Sequence, residues 1–225
     1  MRRFAFENGL SLFFGVLFLA TLAGQSFVGQ HAFNEEQMLH DAQPVSWLDY
    51  VLSPEFGGAV LENWQSEFLQ FTLFILATVW LVQKGSNESK QLGEVGSESD
   101  RKQQVGSHAP KNAPALAKRG RDALRWVYEN SLVLTMSAIF LLSWFGQSVN
   151  NWRSENEELR EHGEQAVGWA HYVLGADFWE RTLQNWQSEF LAVGTMAVFT
   201  IYLRQRGSPE SKPVGSPHDE TAASG

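Results

Sequence analysis

No cysteine occurs among the 225 residues, which excludes disulfides, thiolate metal sites and cysteine nucleophiles. Positive charge is scarce too: 17 Lys and Arg stand against 25 Asp and Glu, a net charge of −8. No basic face alternates with aromatics, so nucleic acid is not an expected partner. The H-E-x-x-H zinc spacing, the P-loop, the dinucleotide glycine fingerprint and the G-x-S-x-G elbow are all missing. Without such motifs no catalytic residues and no cofactor are expected. Lys and Arg are absent altogether from Val28 to Glu62.

What is present is gathered rather than spread. Mean hydropathy is slightly negative at −0.23, yet charge collects in some stretches and apolar residues in others, so hydropathy has to be read in windows. Four apolar segments emerge: Leu10–Phe27, Phe68–Val82, Leu132–Phe145 and Phe190–Leu203. They are apolar around the whole helix rather than along one stripe, as in the run from Phe71 to Trp80, which favours lipid over a soluble bundle. A helix begun at Pro54 and ended at Val82 would measure about 43 Å, enough to cross a core of about 30 Å. Ser53 as N-cap, Pro54 in the first turn and Glu55 beside it suit that start, and Gly85 and Gly207 suit the stops.

The segments recur at a constant spacing. Glu7-Asn8 returns as Glu129-Asn130, and Gly24-Gln25-Ser26 as Gly146-Gln147-Ser148. Asn63-Trp64-Gln65-Ser66-Glu67-Phe68-Leu69 returns unbroken as Asn185-Trp186-Gln187-Ser188-Glu189-Phe190-Leu191, always 122 residues later. Roughly 40% of positions match between the two halves, the signature of a tandem duplication. The duplication also bears on Leu10–Leu22, which could pass for a signal peptide after Arg2-Arg3. Its counterpart lies mid-chain, so a true span is expected.

The expected fold is therefore an all-α membrane protein with four transmembrane helices, arranged as two parallel-repeat helical hairpins with short interfacial helices in the outer loops. Repeat 1 occupies 1–90 and repeat 2 occupies 122–207. Residues 91–121 read as a disordered linker and 208–225 as a disordered tail, being rich in small, polar and charged residues. Arg2, Arg3, the basic residues of the linker, Arg204, Arg206 and Lys212 place both termini and the linker in the cytoplasm.

The opening Arg3-Phe4-x-x-Glu7-Asn8-Gly9-Leu10-Ser11-Leu12, then Asn34-Glu35-Glu36-Gln37, the Asn63–Leu69 run and the stretch Gln83–Lys90 resemble an uncharacterised bacterial family of small multi-pass membrane proteins with a domain of unknown function. The resemblance covers both halves. It implies a bacterial inner or plasma membrane location and carries no activity with it.

Two constellations could carry chemistry. On one helix face, Asn63, Ser66 and Glu67 come together, as do Asn185, Ser188 and Glu189. Gln25 and Gln147 end the preceding apolar segments at a similar depth, so they could meet these acids. The structural reading is an interhelical polar clamp, and the functional one is a cation or proton site. Trp47, Trp64, Trp169 and Trp186 read as interfacial belt residues. The second constellation is Glu36 with His40 and Glu158 with His162, each i, i+4, which could offer two ligands to a zinc-like ion. A third would have to come from His31, His171 or the other copy. The function expected is a non-enzymatic structural, interaction or sensing role in the lipid bilayer, with a homodimer or a membrane protein as partner. The alternative is a small cation or proton channel or transporter using Glu67 and Glu189. A membrane metalloenzyme built on the Glu/His pairs is a further reading.

Overall fold

A computed structural model describes residues 2–40 and 42–222, so the last three positions of the expected tail lie outside it. Among the described residues the regular structure is helical, without strands. Eight α-helices follow in order: α1 (Arg2–Glu7), α2 (Gly9–Leu39), α3 (Trp47–Val51), α4 (Pro54–Trp80), α5 (Ala123–Glu129), α6 (Ser131–Glu161), α7 (Trp169–Leu174) and α8 (Ala176–Tyr202).

Local chemistry accounts for most boundaries. Ser53 caps α4 as expected, its hydroxyl accepting the Phe56 amide at 3.3 Å. Ser46 caps α3 through the Asp49 amide, and Asp122 caps α5 through the Arg125 amide. Glu7 and Glu129 close the short helices α1 and α5. There they pair with Arg3 and Arg125 at 2.6 Å each. Asn8 and Asn130 form the break, each amide returning to the carbonyl four residues back. Helices α4 and α8 stop at Trp80 and Tyr202, a few residues before the glycines expected to end them. Gly85 and Gly207 serve the following turns, at φ of +88° and +80°.

Two helices, α2 and α6, are long and apolar enough to cross a membrane. Only 6% of the most apolar 18-residue stretch of α2 is buried within the protein, and 17% of that of α6. Leu10, Phe13, Phe14, Val16 and Leu19 all lie exposed. A water-soluble core helix would have buried such a surface. Helices α4 and α8 are polar over their first third and do not reach the same measure among the described residues.

The chain packs as two compact units. The first takes in Met1–Leu61 and Gly146–Val173. Here α3 folds back on α2: the Trp47 indole donates to the Ser26 hydroxyl at 3.1 Å and stacks on Phe27. Trp169 makes the same 3.1 Å bond to Ser148. Behind each short helix an asparagine clamps the incoming strand of backbone. Asn34 both donates to the Val45 carbonyl and accepts its amide, at 3.0 and 2.8 Å. Asn156 does likewise with Val167, at 3.0 and 2.7 Å. Tyr50 is buried against Gly29, where any side chain would run into its ring. Burial, and then the nearby Glu55 carboxylate, push the Tyr50 phenol up.

The second unit comprises Glu62–Phe145 and Leu174–Gly225. The expected disorder of the linker finds no support in it. Residues 84–120 form a succession of turns pinned by charge. Lys102 bridges Glu94 and Glu98 at 2.9 and 3.2 Å, while Arg125, almost wholly buried, reaches Asp100 at 3.0 Å as well as Glu129. Val105 and Ala117 are buried beneath them, joined through the Gly106 amide and the Ala117 carbonyl. Composition treats Lys, Glu and Ser as solvated. It does not register that opposite charges are spaced to meet.

The tail is likewise folded as far as residue 222. Lys212, 1% exposed, donates to the carbonyls of Pro217, His218 and Glu220 at 3.0 Å each. Thr221 and Ala222 tie back to Gly85 and Ser86.

These ion pairs make the linker sensitive to acid. Hydrogen bonds from Arg125 and then Arg121 hold the Asp100 carboxyl below its ordinary range, and those from Gln103 and Lys102 do the same for Glu98. A carboxylate whose pKa is lowered by folding stabilises fully above its unfolded value of about 4, and that contribution disappears as pH falls through the folded value. Amide protection across residues 94–106, taken relative to the intrinsic exchange rate at each pH, is expected to be high at pH 7 and to fall at pH 3. Equal protection at both values would show that the pairs hold nothing in place.

Candidate functional site

The polar run on α4 is rotated relative to the face expected from spacing. The inward stripe is Gln65, Ser66, Leu69 and Thr72, all buried, whereas Asn63 and Glu67 are exposed. Ser66 turns its hydroxyl onto the Asn63 carbonyl at 2.9 Å, and Ser188 does the same with Asn185 at 2.8 Å. On α8, Asn185 donates to the Arg181 carbonyl, Ser188 is exposed and Glu189 is half-buried.

The interhelical bond is made by neighbours of the expected residues. The Trp186 indole donates to the side-chain oxygen of Gln65 at 2.7 Å, joining α8 to α4 inside the second unit. Around it Phe140, Trp144, Phe178, Trp179 and Trp186 form one aromatic cluster, with Trp144 5.8 Å from Trp179 and 6.0 Å from both Phe178 and Trp186. Such rings contribute large buried area together with edge-to-face attraction. Thr182, one turn before Trp186, is fully enclosed, and its hydroxyl makes no hydrogen bond within the protein. The Gln65 amide nitrogen and the Trp144 indole are in the same condition. The clamp is therefore a dense apolar contact with one strong polar link, and its three remaining polar groups have no hydrogen-bond partner among the described residues.

Of the two glutamines expected to approach the acids, Gln25 is exposed on α2. Gln147 is fully buried on α6, with neither amide atom bonded within the protein. The belt tryptophans divide. Trp47, Trp64 and Trp169 are each about two-fifths exposed, while Trp186 enters the aromatic cluster.

The outer pairs do converge in part. Glu36 and Glu158 sit exposed on the last turns of α2 and α6, and the His40 and His162 rings just beyond them meet edge to face with centroids 5.7 Å apart. His31 pairs instead with Glu35, at 3.4 Å, and His171 is exposed on α7. No three His, Asp or Glu side chains among the described residues form a group able to hold a metal ion.

A family with a domain of unknown function, DUF6766, is matched across residues 1–223. The chain belongs to DUF6766. No curated protein and no solved structure matches it.

Sequence reasoning on this DUF6766 chain missed Gln65, Thr182 and the two asparagine clamps. Gln65 was within view as part of the matched run, but helical spacing alone gives a face and not the direction that face points. Asn34 and Asn156 had a plainer signal, since each is followed eleven residues later by a valine, 45 and 167. The folded linker of DUF6766 also encloses an open cavity of about 930 Å³, with Glu98, Asp100, Gln103, Trp126 and Glu129 among its walls.

Proposed function

We propose that this DUF6766 chain is an integral membrane protein with four spans, made of two tandem copies of a helical hairpin, and that its role is structural, in interaction or in sensing rather than in catalysis. The observation that carries the reading is the exposed apolar circumference of α2, which lipid covers at no cost and water does not. Helices α4 and α8 supply the other two spans, each 27 residues and about 40 Å long. The tandem copies are supported by equal helix lengths and by equivalent bonds at one spacing, such as Trp47–Ser26 with Trp169–Ser148. The clamp between Gln65 and Trp186 suits a bundle that holds its shape. A bacterial inner or plasma membrane, with both termini in the cytoplasm, completes the proposal. A second copy or another membrane protein would be its partner.

The lack of native cysteine makes the test direct. Gln43→Cys, in the outer loop, is expected to react with an impermeant maleimide on intact cells, and Ser107→Cys, in the linker, only after permeabilisation. Equal labelling of both on intact cells would overturn the topology.

A second reading, a cation or proton conductor, rests on Glu67 and Glu189 recurring in the same run Asn-Trp-Gln-Ser-Glu-Phe-Leu on α4 and α8, each at the edge of an apolar stretch. It requires proteoliposome flux that falls in the Glu67→Gln, Glu189→Gln double variant. Unchanged flux removes it.

A further inference from the structure

The sequence brings a histidine to the end of each 31-residue helix, and the fold brings those two histidines together. His40 is the C-cap of α2, and His162 follows the last residue of α6 by one. Their ring centroids stand 5.7 Å apart. Two imidazoles on one tetrahedral zinc, with Zn–N of about 2.0–2.1 Å, place their centroids roughly 5 Å apart. The observed pair is thus within a small side-chain rotation of sharing an ion.

The tautomer of one ring is set by its neighbour. His162 Nδ1 lies 2.9 Å from the Glu158 carbonyl oxygen, which can only accept, so Nδ1 carries the proton and Nε2 keeps its lone pair. A ring nitrogen fixed in this way by a backbone carbonyl is the usual support for a metal-binding histidine. The electrostatics agree with a cation. The C-terminal ends of α2 and α6 carry partial negative charge, and Glu35, Glu36, Glu157, Glu158 and Glu161 lie on their last turns, with Arg160 the one basic residue among them.

We propose that His40 and His162 form a two-histidine site for a divalent ion of zinc type, through their Nε2 atoms and completed by water. Imidazole selects such an ion over magnesium or calcium, which prefer oxygen. The site would link one half of the chain to the other at the ends of α2 and α6, independently of any catalytic role.

The test uses full-length protein in detergent, purified through a tag free of histidine, with Zn²⁺ alone as the probe in equilibrium dialysis and isothermal titration. Wild type is expected to bind one Zn²⁺ per chain at saturation. His40→Phe and His162→Phe, which keep a ring at each exposed position, should each weaken binding by at least about 100-fold. Mg²⁺ at the same concentration should not compete. Failure of the wild type to bind Zn²⁺ saturably, or binding by both phenylalanine variants as tight as that of the wild type, would overturn the site and leave an edge-to-face ring contact.

Discussion

Replacing Asn156 by alanine is expected to lower stability by about 2–3 kcal/mol, and Asn34 by about 1–2 kcal/mol. Each side chain makes two bonds to one residue, accepting the amide and donating to the carbonyl of Val167 or Val45. Removing it leaves a backbone amide without an acceptor. The carbonyl keeps its second donor, from Trp152 at 2.8 Å or Gln30 at 3.0 Å. Asn156 is 4% exposed while Asn34 is only half-buried, so water relieves the second loss more readily than the first. Asn156→Asp should fall between wild type and alanine, because a carboxylate still accepts from the Val167 amide but faces its carbonyl without a proton to give. Thermal unfolding in lipid nanodiscs, followed by tryptophan fluorescence, would order the three variants. Equal melting of Asn156→Ala and wild type would show that the clamp contributes nothing.

Gly58→Leu should be the more damaging substitution, at about 3 kcal/mol. The first turns of α4 lie against α6 within the first unit. The Glu55 carboxylate accepts the Ser154 hydroxyl at 2.6 Å, Gly57 faces Asn150, and Gly58 faces Asn151. Any Cβ at Gly58 runs into the Asn151 side-chain oxygen, and one at Gly57 would come to 2.9 Å from that of Asn150. Small residues permit this approach, as in other close helix crossings. Alanine asks only that the end of Asn151 swing aside, and it gains about 1 kcal/mol of helix propensity over glycine, so Gly58→Ala should be near neutral. Leucine requires α4 and α6 to separate. Asn151→Ala opens space at the contact and should recover part of the Gly58→Leu loss. Absence of any recovery in the double variant would place the clash elsewhere.

Several features could be read before folding was considered. The start of α4 at Ser53-Pro54 follows from residues adjacent in the chain, as do the long apolar runs of α2 and α6 and the short helices at Trp47 and Trp169. Their signals are local: a hydroxyl within reach of an amide three residues on, or a composition that water does not solvate. The two histidines were singled out by i, i+4 spacing from a glutamate. The partner that matters to each proved to be the other, 122 residues away. The acids Glu67 and Glu189 drew notice because charge near an apolar run is costly. The bond between α4 and α8 was made two positions before one acid and three before the other, by Gln65 with Trp186.

The amino-acid order by itself determined the helices, their approximate ends and the uneven distribution of charge, because each depends on neighbours within a turn or two or on composition. Only the tertiary structure decided which side of α4 faces inward, that the charged linker folds into paired turns, and that His40 meets His162. These depend on distances between residues far apart in the chain. Periodicity defines a face without orienting it, and a count of charges does not say which of them are close enough to pair.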